Sequence, residues 1–423
     1  MNRKEFLRAT VPVAAASVMT YSLRKYMHSN VISKAPQQDR ILVMVQLDGG
    51  NDGLNTIIPL DQYAQLSEAR KPILIPEKEV IKLKGTTVTG FHPSMSDLAR
   101  LYEQKHLTVI QGVSYPDPIF SHFRAIDIWH TGSGASTVLN TGWLGRFLER
   151  EYPNYPIGYP NPRVPAPPAI QVGTVLSNAL QGSKAGLGIT VNSTENFYDM
   201  VLGKPVIPED SPMGHELAYI SRIASQTKDY LIGVKKAATA QKNLSPLYPP
   251  SGENALADQL KIVAQLIGGG LESKVYMVNL TEFDTHHNQV DKSNTLKGTH
   301  AYLLSQLSVA IAAFEDDLER MGKLDLVLGM AYSEFGRRIK SNASLGTDHG
   351  SSGPVILFGS KLKGGLIGTN PIIPKNVKVG DNLPMQLDFR SLYASILKGW
   401  FHLSDRDIQT VMLDKYPTLD LFV

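Results

Sequence analysis

Four stretches of the chain concentrate the side chains capable of polar chemistry, and each follows a short apolar run. The first is Asp48-Gly49-Gly50-Asn51-Asp52-Gly53. An acidic residue at a strand end can project into a crevice, two glycines let backbone and ligand approach closely, and Asn51 offers an amide to a bound substrate. The second places Ser121, His122, Arg124 and Asp127 within seven positions. Neighbouring residues rarely face each other, so Ser121 reads as a metal-assisted nucleophile, and His122 as a ligand or an acid/base, better than as a self-contained pair. The third, Asp284-Thr285-His286-His287-Asn288, is the most specific. In extended backbone Asp284 and His286 share a face; in a helix Asp284 would instead meet His287 or Asn288. Either pairing joins a carboxylate to an imidazole, the ligand set of zinc or a similar divalent ion. The fourth is Ser333-Glu334-Phe335-Gly336-Arg337, followed by a loop with Thr347-Asp348-His349-Gly350. Asp348 and His349 are further ligand candidates, and Arg337, like Arg124, could meet an anionic group. Asx and Gly also favour turns for local reasons, so the clustering carries the reading.

The elements that must position these groups are legible as well. Apolar runs at 41–47, 107–113, 274–280, 324–331 and 354–359 read as buried strands. Helical spacing marks 94–106, 256–271, 300–321 and 390–401. Such alternation predicts an α/β fold with a mostly parallel, doubly wound sheet, whose functional loops lie at the carboxyl ends of the strands. Between about 152 and 252, Pro-rich margins mark an inserted region or cap within a domain spanning 40–423.

Composition excludes several classes. Among 423 residues there is no Cys, which removes disulfides, cysteine nucleophiles and iron–sulfur clusters. With 42 basic and 39 acidic side chains the formal charge is +3, too small for a nucleic-acid footprint. Residues 1–30 join a basic head to a short apolar run containing Pro12, the pattern of an export signal, and no run is long enough to span a bilayer. Arg3-Lys4-Glu5-Phe6-Leu7-Arg8 resembles a twin-arginine signal with Lys in place of the second Arg. The expected location is therefore periplasmic or exported, with a small anionic ester or an envelope component as partner.

Taken together, the head motif, 47–55 (LDGGNDGLN), His92-Pro93, 112–129 (GVSYPDPIFSHFRAIDIW), 142–146 (GWLGR), Asp284-Thr285-His286, 333–337 (SEFGR), 347–350 (TDHG) and 388–397 (DFRSLYASIL) resemble a bacterial exported family, domain of unknown function 1501. That family in turn resembles the alkaline-phosphatase and sulfatase superfamily. The resemblance implies a three-layer α/β sandwich in which strand-end Asp and His bind one or two divalent metals around a nucleophile. It implies Asp48 as the first ligand aspartate, Ser121 at the nucleophile position, Asp284 with His286 or His287 as the middle group, and His349 as the late histidine. Where the superfamily carries an Asp-His pair, this chain has Ser333-Glu334, and the Cys-x-Pro-x-Arg signature is absent. Two functions follow as expectations: a metal-dependent phosphate or sulfate ester hydrolase, and a non-catalytic envelope binding or assembly protein that keeps the fold with a degenerate metal site.

Overall fold

The structure is a computed structural model that describes residues 40–192 and 227–423. The expected signal and residues 193–226 of the Pro-rich region lie outside the described residues. The main sheet contains β1 (Ile41–Leu47), β2 (Leu107–Ser114), β3 (Ala169–Val172), β4 (Ile189–Val191), β5 (Val275–Leu280), β6 (Val327–Tyr332), β7 (Gly353–Phe358), β8 (Gly365–Ile367) and β9 (Leu387–Asp388). Its order is β8-β2-β7-β6-β1-β5-β3-β4, with β9 also paired to β2. Six of the seven residues of β1 are at most 7% exposed and point alternately to both faces, so both faces are covered by other layers. The helices gather in two groups. Ser96–Glu103, Ala255–Gly268 and Thr299–Arg320 pack together, and so do His122–Thr131, Trp143–Glu151, Phe389–Ser395 and Asp405–Met412. This is the α/β layering that strand–helix alternation predicts. Within the Pro-rich region, β3 and β4 extend the sheet beyond β5.

Register explains why the polar clusters meet. Leu47 pairs with Leu280, and Gln46 with Tyr332, so β1, β5 and β6 end level and release Asp48, Thr281 and Ser333 at one edge. One strand departs from the parallel rule. β7 runs antiparallel to both β6 and β2, with Gly353 opposite Val113. Its beginning therefore lies where its neighbours end, and the residues just before it, His349 included, reach the same edge from the other direction. Those residues were expected in a loop; Thr347–His349 instead pairs with Arg337–Ser341 as an antiparallel ribbon. The expected strand at 324–331 begins with a 3-10 turn, Leu324–Leu326, before β6.

Beneath the first strand-end loop lies a buried ion pair. Arg70 Nη1 is 2.8 Å from Asp52 Oδ2, and the two side chains are 0% and 1% exposed. Arg70 also donates to the carbonyls of Ile339 (3.0 Å) and Arg338 (2.9 Å), while Gln289 Nε2 donates to Asp52 Oδ2 (2.6 Å). Burial alone would raise the Asp52 carboxyl; Arg70, His300 and Gln289 outweigh it and hold the group below its usual range. Removing one partner of such a pair strands the other charge, at a cost of about 3–5 kcal/mol. Arg70→Met should therefore lower unfolding stability by about that amount in urea titration, and adding Asp52→Asn should recover part of the loss.

Candidate metal centre

At the shared edge, four side chains from three segments converge. Asp284 follows β5 in two successive tight turns, with Thr285 N–H donating to the Phe283 carbonyl (2.8 Å) and His286 N–H to the Asp284 carbonyl (3.0 Å); His122 opens the helix His122–Thr131, and His349 ends the short ribbon. Asp284 Oδ1 lies 3.2 Å from His286 Nε2 and 3.1 Å from His349 Nε2, which are themselves 2.9 Å apart. Asp284 Oδ2 lies 3.5 Å from His122 Nε2. Ligand atoms of His122, Asp284 and His349 all fall within 4.8 Å of one another. Of the partners left open for Asp284, His286 is the one it meets, although the backbone there turns tightly rather than running extended, and His287 is exposed with its ring 6.5 Å from that of His286.

The far nitrogens of the three imidazoles fix which nitrogen carries the proton. His122 Nδ1 meets Glu334 Oε1 at 2.7 Å, His286 Nδ1 meets Asp348 Oδ1 at 3.2 Å, and His349 Nδ1 meets the Phe120 carbonyl at 2.9 Å. All three partners are oxygen acceptors that hold a hydrogen on each Nδ1 and leave each Nε2 facing the Asp284 carboxylate. His286 Nε2 and His349 Nε2, 2.9 Å apart beside a carboxylate, are held together by a shared proton or by a cation between them. Zinc ligands at about 2.0–2.1 Å from the ion sit roughly 3.3 Å apart in a tetrahedron, close to the separations observed. Histidine ligands whose second nitrogen donates to a carboxylate or carbonyl are the usual support for such a centre. The donor set therefore fits a divalent ion of the zinc type.

Charge and packing hold these groups in place. Burial raises the Asp284 carboxyl, but hydrogen bonds from Arg337 and His349 and the Arg337 charge outweigh it, leaving a value of about 2. The Glu334 hydrogen bond raises His122, whereas burial lowers His349. Glu334 is 1% exposed and also accepts the Gly49 N–H at 2.9 Å. Its own carbonyl accepts Trp129 Nε1–H (2.8 Å), and Trp129 stacks between Tyr332 and Phe389 with centroids at 5.1 and 4.4 Å. Phe335 forms a wall for both His122 and His349, with ring centroids at 4.9 and 4.7 Å. The loop glycines are required: a Cβ on Gly49 (φ +122°) would fall 2.3 Å from Asp284 N, and one on Gly50 (φ +80°) 2.4 Å from Phe335.

Residues 254–412 match the family described as Protein of unknown function (DUF1501). Over this stretch, somewhat more than a third of the chain, the sequence is similar to that family. The match takes in Asp284, His286, Glu334, Arg337 and His349, whereas Asp48 and the Ser121-His122 pair precede it. Among solved structures, the chain is similar to the C-terminal periplasmic domain of EcEptC from Escherichia coli in complex with Zn (10% identity, 77% of this chain and 74% of that one, TM-score 0.34). It is also similar to a protein in the alkaline phosphatase superfamily from Vibrio parahaemolyticus (9% identity, 78% and 62%, TM-score 0.35), of whose length it spans less than two thirds. A third is PsFucS1 sulfatase from Pseudoalteromonas sp. (11% identity, 93% and 72%, TM-score 0.34). No curated protein matches the sequence. Likeness at these TM-scores carries no argument about activity.

Several expected site residues lie elsewhere. Asp48 is not among the converging ligand atoms: its oxygens take hydrogen bonds from the side-chain amides of Gln46 and of Asn279 (2.9 Å). Burial raises its carboxyl, and the charge of Glu334 adds to the rise, while the two amides oppose it. Asn51 is 3% exposed; its Oδ1 accepts from Thr56 Oγ1 (3.0 Å) and His300 Nε2 (2.9 Å), so it braces the loop from below. Arg124 is committed to Asp127 and to the carbonyls of Gly134, Ala135 and Thr137. Arg337 does not face the crevice, because its side chain is 0% exposed. Asp348 acts behind His286 rather than beside Asp284, and Asn342 Nδ2 also donates to it (3.2 Å). Ser121 is exposed at the N-cap of its helix and makes no side-chain capping bond. Glu334 was present in the quoted motif without a role; what marked it was its place at a strand exit, one residue after Ser333.

Three other histidines are structural and neutral. Burial pushes His92 down to about 3, His130 to about 4 and His300 to about 4. Each is released to its ordinary 6.5 on unfolding. The unfolded chain therefore binds more protons between about pH 4 and 6.5, and stability is lost as pH falls through that window. Urea midpoints measured across it should decline on acidification, and His300→Gln should make the decline shallower.

Proposed function

We propose that this chain is an exported metal-dependent hydrolase acting on a phosphate or sulfate ester, with an alkaline-phosphatase-like scaffold. The observation that carries the reading is the convergence of the Nε2 atoms of His122, His286 and His349 on the Asp284 carboxylate. His122, His286, His349 and Asp284 would hold a divalent ion, best matched by zinc. Such an ion would supply Lewis acidity toward the non-bridging oxygens of the ester. Asp284 stays ionised through the working pH range, Glu334 and Asp348 orient their imidazoles, and the Phe120 carbonyl keeps His349 Nε2 turned inward. Ser121 is the proposed nucleophile. Its hydroxyl is exposed, next to ligand His122, at the N-terminus of a ten-residue helix whose first N–H groups favour an anionic group. The basic head and short apolar run of residues 1–30 support export, and among the described residues no helix is long and apolar enough to cross a membrane.

A second reading, a non-catalytic envelope binding protein, keeps one observation in its favour. Asp48 is withdrawn into amide contacts, and Ser333-Glu334 stands where a second Asp-His pair was expected, so a second ion lacks ligands in the described site. Metal analysis of the purified chain should find about one divalent ion per chain, lost in Asp284→Asn and His349→Ala. Glu334→Gln should keep the ion but weaken its binding about 10–100-fold in chelator competition. A panel of aryl phosphates and sulfates should then separate the readings. Turnover that falls at least about a hundredfold in Ser121→Ala supports the hydrolase; bound metal with no turnover of any ester supports the second reading.

A further inference from the structure

Positive charge is unevenly placed along the chain. Of the 42 basic and 39 acidic side chains, six and two fall in residues 1–39, so the remainder is close to neutral. Within that remainder the segments 70–76, 337–343 and 371–380 hold seven basic residues and no acidic one. Hydrogen bonds lay the three side by side. Arg70 Nε donates to the Ile339 carbonyl (3.0 Å), Ile339 N–H to the Asp381 carbonyl (3.2 Å), and Arg338 Nη1 to the Val379 carbonyl (3.3 Å). Arg70 and Arg337 are sealed against Asp52 and Asp284, and Arg338 is turned to backbone carbonyls. Lys71, Lys340, Lys375 and Lys378 remain, and none of them forms an ion pair with a described residue. Three are exposed and Lys340 is half-buried. The acids nearest in the fold offset them little: Asp348 already serves His286 and Asn342, and Asp381 accepts the Lys378 N–H (2.8 Å).

The loop 371–380 adds an apolar component. Ile373 and Val377 pack into the smaller apolar core, which fastens the loop to the fold. Its other two large aliphatic side chains are bare, Ile372 at 77% exposed and Val379 at 64%. One preformed loop thus offers two aliphatic groups interspersed with two lysines. A soluble polyanion would be met by the lysines alone and would leave the aliphatic groups in water. An anionic lipid surface satisfies both, since acidic headgroups face the ammonium groups and the acyl boundary takes the aliphatic tips.

We propose that the loop 371–380, with Lys71 and Lys340 beside it, docks the protein reversibly on an anionic lipid surface. This goes beyond the hydrolase reading, because docking needs neither an ion nor turnover. Arg338 donates to the carbonyls of both Val379 and His349 (3.2 Å), so the docking loop adjoins the candidate metal centre.

Co-sedimentation of the full chain with vesicles tests the proposal. One set is phosphatidylcholine alone, and the other is equal parts phosphatidylcholine and phosphatidylglycerol. The chain should sediment with the anionic set and be released as salt is added. Lys375→Gln together with Lys378→Gln should weaken binding about 25-fold, about fivefold for each lysine at an anionic surface. Ile372→Ser together with Val379→Ser should weaken it about tenfold and leave retention on heparin unchanged. Both pairs lie at the surface and should keep the urea midpoint and metal uptake of the parent chain. No binding to either set, or equal binding to both, would overturn the proposal. So would a lysine variant that binds like the parent, the outcome if the basic head of residues 1–39 were the attachment. An aliphatic variant that binds like the parent would overturn it in favour of a soluble polyanion.

Discussion

The guanidinium of Arg337 is sealed from solvent and fastens three separate strand exits to one positive charge. It donates to the carbonyls of Gly49, Gly50 (2.6 Å), Phe283 (3.0 Å) and Thr347 (2.8 Å), and to Asp284 Oδ1 (2.6 Å). A buried cation is tolerated only when its donors are met and a counter-charge is near. Asp284 supplies that charge while remaining 47% exposed on its other side. The same carboxylate therefore completes a buried network and faces the three imidazoles. This coupling makes the centre a consequence of the fold: moving any of the three exits would strand a charge.

That arrangement also sets what the centre can do. Asp284 shares its negative charge between Arg337 and the inward nitrogens, so much of the orienting work falls to the imidazoles and their outer partners. Glu334 serves one of them and ties it to the Gly49 amide, while Asp348 and the Phe120 carbonyl serve the others. Each outer partner comes from a different segment, and each inward nitrogen therefore reports the position of two parts of the chain.

Much of this was readable in the residue order. Apolar runs ending in Asp, His or Ser marked the strand exits, and the spacing of Asp284 and His286 marked them as partners, although tight turns rather than extended backbone bring them together. The reversed direction of β7 was not readable, because an apolar run of five or six residues carries no information about its partner's orientation. Nor was the fate of individual charges. Arg337 and Arg124 looked like anion binders, yet one is enclosed by carbonyls and the other is spent on a loop. Asp48 looked like a ligand because it follows β1, but the outcome depends on Gln46 and Asn279, residues on two strands whose pairing only the tertiary structure fixes. Glu334 could not be told from an ordinary surface acid until His122, 212 positions away, was seen against it.

The account stands on one claim: the Nε2 atoms of His122, His286 and His349, with the Asp284 carboxylate, surround a cation. X-ray absorption at the zinc edge, on the chain reconstituted with one equivalent of zinc, tests it most directly. The arrangement predicts nitrogen and oxygen neighbours at about 2.0–2.1 Å together with the outer-shell scattering of at least two imidazoles, reduced in His286→Ala and His349→Ala. Zinc surrounded by oxygen alone, with no imidazole scattering and no change in those variants, would contradict it.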